Sequence, residues 1–174
     1  MLHRERFDAP ILGAVVRWSG TVPLVPPLFV VRDLRAYLRG PWHLARRTRD
    51  ERSRVTTTFE GSAAFVVDGT GLAYEERGVH DVDGRSFPAT RSYAYTFPAL
   101  DRAEVWFPDG RPFHVLDLGS GRCHAEHPCR EDRYTGSFQC EGPDVWTVEW
   151  MVHGPEKAIC ITSRYARLPA SWEG

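Results

Sequence analysis

The sequence predicts an all-β fold: a single antiparallel up-and-down β-barrel of about ten strands, preceded by a short helical turn. Three observations carry this. From Trp42 to Arg167 one segment of alternating apolar and polar residues follows another, with almost no helical period. Each segment is joined to the next by a short turn built from Gly, Asp or Pro. A meander of this length has two edges, and closing on itself removes both; a sandwich of two sheets is the runner-up.

The elements read in order as follows. Residues 1–32 carry Pro10, Pro23, Pro26 and Pro27 and show no clean period, so they are expected to form an irregular arm, loosely packed or serving as a flap or oligomerisation arm. The barrel domain is expected over residues 33–170. Asp33 can cap a helical turn in which Leu34 and Leu38 share a face, and Gly40-Pro41 ends it. Strands are expected over 42–48, 55–67 and 72–82. A two-residue loop at Gly69-Thr70 would pair Val67 with Leu72, Phe65 with Tyr74 and Ala63 with Glu76. After Asp83-Gly84 come strands over 90–97 and 103–107, then the Asp109-Gly110 turn, and strands over 113–118, 123–129, 134–140, 145–152 and 158–168.

Composition bounds the function. A chain of 174 residues, 42% apolar and 26% charged, fits one domain with an ordinary core. Six Trp, nine Phe and six Tyr point to aromatic packing or an aromatic-lined pocket. A net charge of −1 gives no drive toward nucleic acid or anionic lipid, and the arginines are too dispersed for a basic face. Four cysteines do not make a disulfide scaffold, and no run of eighteen apolar residues suggests a spanning helix, so neither nucleic acid nor a membrane is an expected partner. The apolar patch Ile11–Val16 is cut off by Arg17 before it could serve as a signal sequence, so a cytoplasmic location is expected.

Gly40-Pro41-Trp42, following a helical turn, resembles the opening of lipocalin-like (calycin) barrels, where a Gly-x-Trp tryptophan packs beneath an arginine from the end of the barrel. The resemblance implies that role for Arg164 or Arg167. Residues 34–167 are also similar to a family of small bacterial calycin-like domains without an assigned function. The shared residues include Leu38-Arg39-Gly40-x-Trp42, Gly71-Leu72-x-Tyr74-x-Glu76, Asp109-Gly110-Arg111-x-Phe113-His114, His127-x-Cys129-x-x-Asp132-x-Tyr134-x-Gly136-x-Phe138 and Tyr165-x-Arg167. The resemblance implies the fold and no reaction. Secreted lipocalins usually carry a signal peptide and disulfides, and neither is expected from this sequence.

Chemistry is concentrated between Arg111 and Cys140, with three of the seven histidines and three of the four cysteines. With a four-residue loop at Arg130–Arg133, Cys129 would face Tyr134, His127 would face Gly136 and Cys123 would face Cys140. His127, Cys129 and Tyr134 would then point into the barrel near one end, with Asp132 at its mouth. This makes His127, Tyr134 and Asp132 the candidate acid/base group, against the plainer reading of His127 as a satisfied core histidine. Cys123 opposite Cys140 could bridge if oxidised, or remain a pair of buried thiols. A metal site is not expected: His124 points away from its neighbours, and Cys123 to Cys129 spans about 20 Å of strand, at about 3.3 Å per residue. Neither is another cofactor.

Arg46, Glu76 and Arg91 share the inward face of Trp42, Phe65 and Tyr93, and buried charges must pair or serve a ligand. The plain reading is an internal Glu76–Arg91 pair; the functional one is an arginine anchor for an anion. His114 and Asp117 lie on opposite faces and form no dyad. The expected ligand-binding set is Arg46, Tyr74, Glu76, Arg91, Tyr93, Trp146, Trp150 and Arg167, with Tyr95 nearby. The expected function is a small-molecule binding protein holding a partly aromatic anion. Alternatives are a cofactor-free isomerase, cyclase or lyase acting through His127, and a structural or assembly role. The expected partner is a small molecule, with a homodimer open as the oligomeric state.

Overall fold

The computed structural model describes residues 28–169, and the expected arm lies outside the described residues up to residue 27. Asp33 caps α1 (Leu34–Leu38), its carboxylate accepting the Ala36 N–H at 2.9 Å. Ten strands follow: β1 (Gly40–Asp50), β2 (Thr56–Asp68), β3 (Gly71–Val82), β4 (Arg85–Ala99), β5 (Arg102–Trp106), β6 (Pro112–Asp117), β7 (Arg122–Cys129), β8 (Asp132–Gly142), β9 (Val145–His153) and β10 (Ala158–Arg167).

Every strand pairs antiparallel with its neighbour in sequence except β6 and β7, and the first strand pairs with the last, Trp42 opposite Arg167. The meander thus curls into a nearly closed barrel. Its seam is β6 beside β7, where the Asp117 N–H reaches the Cys123 sulfur at 3.4 Å instead of a ladder carbonyl. The chain before α1 laces the end of this seam, Phe29 N–H bonding to the Cys140 carbonyl and Val31 N–H to that of Leu118. No helix of the described residues is long and apolar enough to cross a membrane.

The barrel has a filled end and an open end. At the filled end α1 and the β2–β3, β6–β7 and β8–β9 turns cover a core of Leu34, Leu38, Trp42, Phe65, Leu116 and Leu118. Arg167 lies over the Trp42 ring, its guanidinium carbon 4.0 Å from the centroid, and donates to the carbonyls of Arg39 and Tyr37. Of the two arginines expected at this place, Arg167 occupies it, while Arg164 pairs with Glu141 on the surface. Glycines bend the wall where β2 and β3 cross: Gly61 faces Gly78, and a Cβ on Gly78 would stand 2.6 Å from the Phe59 ring.

The β2–β3 register is the expected one, with Val67 opposite Leu72, Phe65 opposite Tyr74 and Ala63 opposite Glu76. The β7–β8 register differs from the expected one by two residues: His127 faces Tyr134, Cys129 faces Asp132, and Cys123 faces Phe138 rather than Cys140. Arg130, at φ +58°, lets the chain reverse over Arg130-Glu131 where a four-residue loop was expected. The expected Cys123–Cys140 pair is therefore absent, and both are free thiols.

Candidate functional site

The inward alternation of β1 continues from Trp42 and Leu44 to Arg46, and that of β3 from Leu72 and Tyr74 to Glu76. Between these strands the inward residues of β2 include Gly61 and Ala63, small enough for the Arg46 side chain to cross to Glu76. Arg46 closes on both carboxylate oxygens at 2.7 Å, its Nε donates to the Ser163 hydroxyl at 2.9 Å, and its guanidinium lies over the Phe59 ring. Tyr74 donates to Glu76 at 2.6 Å and meets the Tyr165 hydroxyl at 3.1 Å. Glu76 is 3% exposed and Arg46 11%. Burial opposes charge on both, but their mutual hydrogen bonds and attraction prevail, holding Glu76 below the usual carboxylate range and Arg46 above the usual guanidinium range.

This pair corrects the expected Glu76–Arg91 couple. Arg91 approaches Glu76 only to 3.7 Å and is 51% exposed, toward the open end. Two guanidinium groups thus share one carboxylate, and Glu76 is the only acid among the described residues that line the cavity. Arg111, at the mouth, is neutralised by Asp109 at 2.7 Å.

Above the charged network lies a cavity of about 530 Å³. Its wall is a run of rings: Tyr93 stacks on Phe113 at 5.4 Å and Phe113 on Trp150 at 5.3 Å, with Phe107 against both Tyr93 and Phe113. Trp146 lies flat on Tyr165 at 3.8 Å; its indole N–H is buried without a partner among the described residues. Phe113 and His114 are neighbours in sequence, yet both line the cavity, because the β5–β6 register slips between Val105 and Trp106.

Of the expected binding residues, Arg46, Tyr74, Glu76, Arg91, Tyr93, Trp146 and Trp150 line the cavity, as does Tyr95. Arg167 does not: it lies over Trp42 at the filled end, its donors taken by backbone carbonyls and Asp144. His127, Cys129 and Tyr134 also face the cavity, with His127 edge-on to Phe113 at 5.1 Å and 6.0 Å from the Tyr134 ring. Asp132 is outside the cavity lining: its carboxylate pairs with Lys157 and packs against Gly154, and it makes no hydrogen bond to His127. Sequence reasoning missed Phe107, Phe113, His114, Ser163 and Tyr165 in the lining. Inward parity on β10 could have found Ser163 and Tyr165; the bulge hid Phe113.

A ten-stranded up-and-down barrel, capped by a helical turn with an arginine over the first-strand tryptophan and open onto an aromatic cavity, is a lipocalin-like barrel. The chain belongs to the DUF6314 family, a family of unknown function, whose model matches residues 38–167. No curated protein matches it in sequence. Among solved structures it resembles an S-type phycobiliprotein lyase from Guillardia theta, with a TM-score of 0.56 at 8% identity over 81% of this chain and 94% of that one. It also resembles a protein of unknown function of the DUF3598 family from Nostoc punctiforme, with a TM-score of 0.52 at 14% identity over 82% of this chain. The match spans 50% of that longer chain. At these identities the likeness concerns the fold.

Proposed function

We propose that this protein binds a small, partly aromatic anion in the cavity of its barrel. The observation that supports this most is the charge count of the lining: Arg46, Arg91 and Arg111 against Glu76 alone, with Arg46 already held bidentately and Arg111 paired with Asp109. Arg91 is left to meet an anion at the edge of a wall made of Tyr93, Phe113 and Trp150. Rings stack on such a wall at little conformational cost. The cavity volume falls in the usual range for ligand sites, about 300–1,000 Å³.

Native mass spectrometry of the purified protein tests this, before and after addition of 2-naphthoate as a generic aromatic anion. The expected result is a one-to-one complex with either a co-purified organic anion or the added naphthoate, accompanied by quenching of tryptophan fluorescence. A spectrum showing only the bare chain at saturating naphthoate would overturn the proposal.

A second reading is that the bound molecule is transformed in place, with His127 moving a proton. It is favoured by His127 and Tyr134 being cross-strand partners that both face the cavity. His127→Gln separates the two: a binding protein keeps its ligand affinity and loses nothing else, whereas an enzyme keeps affinity and loses turnover of its natural ligand.

A further inference from the structure

His114 is a polar group of the cavity wall that neither the ion pair nor the mouth explains. Its Nδ1 lies 3.1 Å from the Val115 carbonyl oxygen. A carbonyl only accepts, which assigns the proton to Nδ1 and leaves a lone pair on Nε2. Nδ1 is tied to the strand that carries the ring, so Nε2, across the five-membered ring, points away from that strand and into the barrel. The ring is enclosed by Phe113 at 4.7 Å, Phe138 at 5.2 Å and Trp150 at 5.3 Å between centroids. Aromatic faces such as these offer Nε2 no conventional donor.

The imidazole also stays neutral. Burial lowers its pKa to about 4, the Val115 carbonyl opposes this only in part, and nearby His127 adds to the lowering. At neutral pH Nε2 is therefore an acceptor and not a donor. His114 is half-buried and lines the cavity, so Nε2 is an acceptor open to the cavity that a donor on a bound molecule can meet.

Its position relative to Arg91 matters as well. His114 is in register with Val105, and Val105 with Tyr95, which lies four residues further along β4 than Arg91. At about 3.3 Å per residue the two are offset by roughly 13 Å along the strands. A molecule whose anionic end meets Arg91 extends its ring end toward His114.

We propose that His114 selects the ligand by accepting an O–H or N–H from its ring end, so that the cavity is built for a hydroxylated or N–H-bearing aromatic acid rather than for a bare aromatic acid. This rests on the reading of the cavity as an aromatic-anion site.

Two probes that differ only in whether the hydroxyl hydrogen is replaced by a methyl group test it: 6-hydroxy-2-naphthoate and 6-methoxy-2-naphthoate, titrated into the full chain and followed by tryptophan fluorescence. The wild type is expected to prefer the hydroxy acid about five- to tenfold, the range of one net hydrogen bond. His114→Phe, checked for native circular dichroism, is expected to bind both acids equally. Because that variant could fold poorly, long-range ¹H–¹⁵N spectra of the wild type give an independent readout. There the His114 Nε2 resonance is expected to be unprotonated and to move with the hydroxy acid but not with the methoxy acid. Equal affinities in the wild type, a preference that survives in folded His114→Phe, or an Nε2 resonance indifferent to the hydroxyl would overturn this inference while leaving the aromatic-anion site standing. Failure of both acids to bind would overturn the reading beneath it as well.

Discussion

Arg46 and Glu76, thirty residues apart in sequence and separated by a whole strand, form a two-point ion pair at 2.7 Å on both oxygens inside the barrel. The pair is nearly dry, so removing one partner leaves a charge with neither water nor counter-ion. Glu76→Ala is expected to lower stability by about 3–5 kcal/mol, the scale seen when one member of a buried pair is deleted. Replacing both partners by apolar residues of similar size, as in Arg46→Met with Glu76→Leu, is expected to recover much of that loss. Urea denaturation of the single and double variants measures both values.

Arg167 combines a cation–π contact to Trp42 with hydrogen bonds to the carbonyls of Tyr37 and Arg39. Lysine keeps the charge but not the planar fork. Arg167→Lys is expected to cost about 1–2 kcal/mol, as one or two such hydrogen bonds are lost. Binding of 2-naphthoate should be unchanged, because Arg167 does not line the cavity. Thermal melts paired with the naphthoate titration check this.

His114 ties stability to pH. Its pKa falls from the ordinary 6.5 to about 4 on folding, chiefly through burial. Above about 6.5 the ring is neutral in both states and the contribution is complete. As pH drops toward 4 the unfolded chain takes up a proton that the folded one refuses, and stability declines; below 4 the decline ends. Glu76, held low, adds its own loss from about 4.5 downward, where the unfolded chain's carboxylate takes up a proton that the folded one refuses. Denaturant midpoints measured between pH 7 and pH 4 should therefore fall in the wild type and flatten in His114→Phe.

Gly78 has no room for a methyl group: a Cβ there would meet the Phe59 ring at 2.6 Å and the Gly61 Cα at 2.8 Å. Because part of this obstruction is backbone, relaxation is costly, and Gly78→Ala is expected to destabilise by ~2 kcal/mol. Gly84, in the β3–β4 turn, has no atom near its would-be Cβ, but its φ of +75° still favours glycine. A melting comparison of the two alanine variants separates crowding from backbone preference.

The strands were legible because a barrel wall with one wet face writes a period of two into every segment. The Gly69-Thr70 hairpin was legible down to its register, since its loop length admitted one reading. The β7–β8 hairpin was not, because a two-residue and a four-residue loop give the same faces. Parity therefore puts His127, Cys129 and Tyr134 on the inward face under either loop, while their cross-strand partners differ by two residues. Asp132 could not be placed from sequence, because its partner Lys157 comes from a turn twenty-five residues away. Nor could the partner of Glu76: Arg46 and Arg91 share its face, and only the room above Gly61 and Ala63 decides for Arg46. In sequence His114 shows only that Asp117 lies on the opposite face, whereas its tie to the Val115 carbonyl and its neutrality emerge from the fold.

Paired titrations of 2-naphthoate and its neutral isostere 2-naphthamide, against the wild type and Arg91→Gln, bear most directly on the aromatic-anion site. The wild type is expected to bind the carboxylate at least tenfold more tightly than the amide, and Arg91→Gln is expected to remove that difference while still binding the amide, since a hydrogen bond to a charged group is worth about 1.5–3 kcal/mol. Equal binding of acid and amide by the wild type, or a preference for the acid untouched by loss of Arg91, would contradict it.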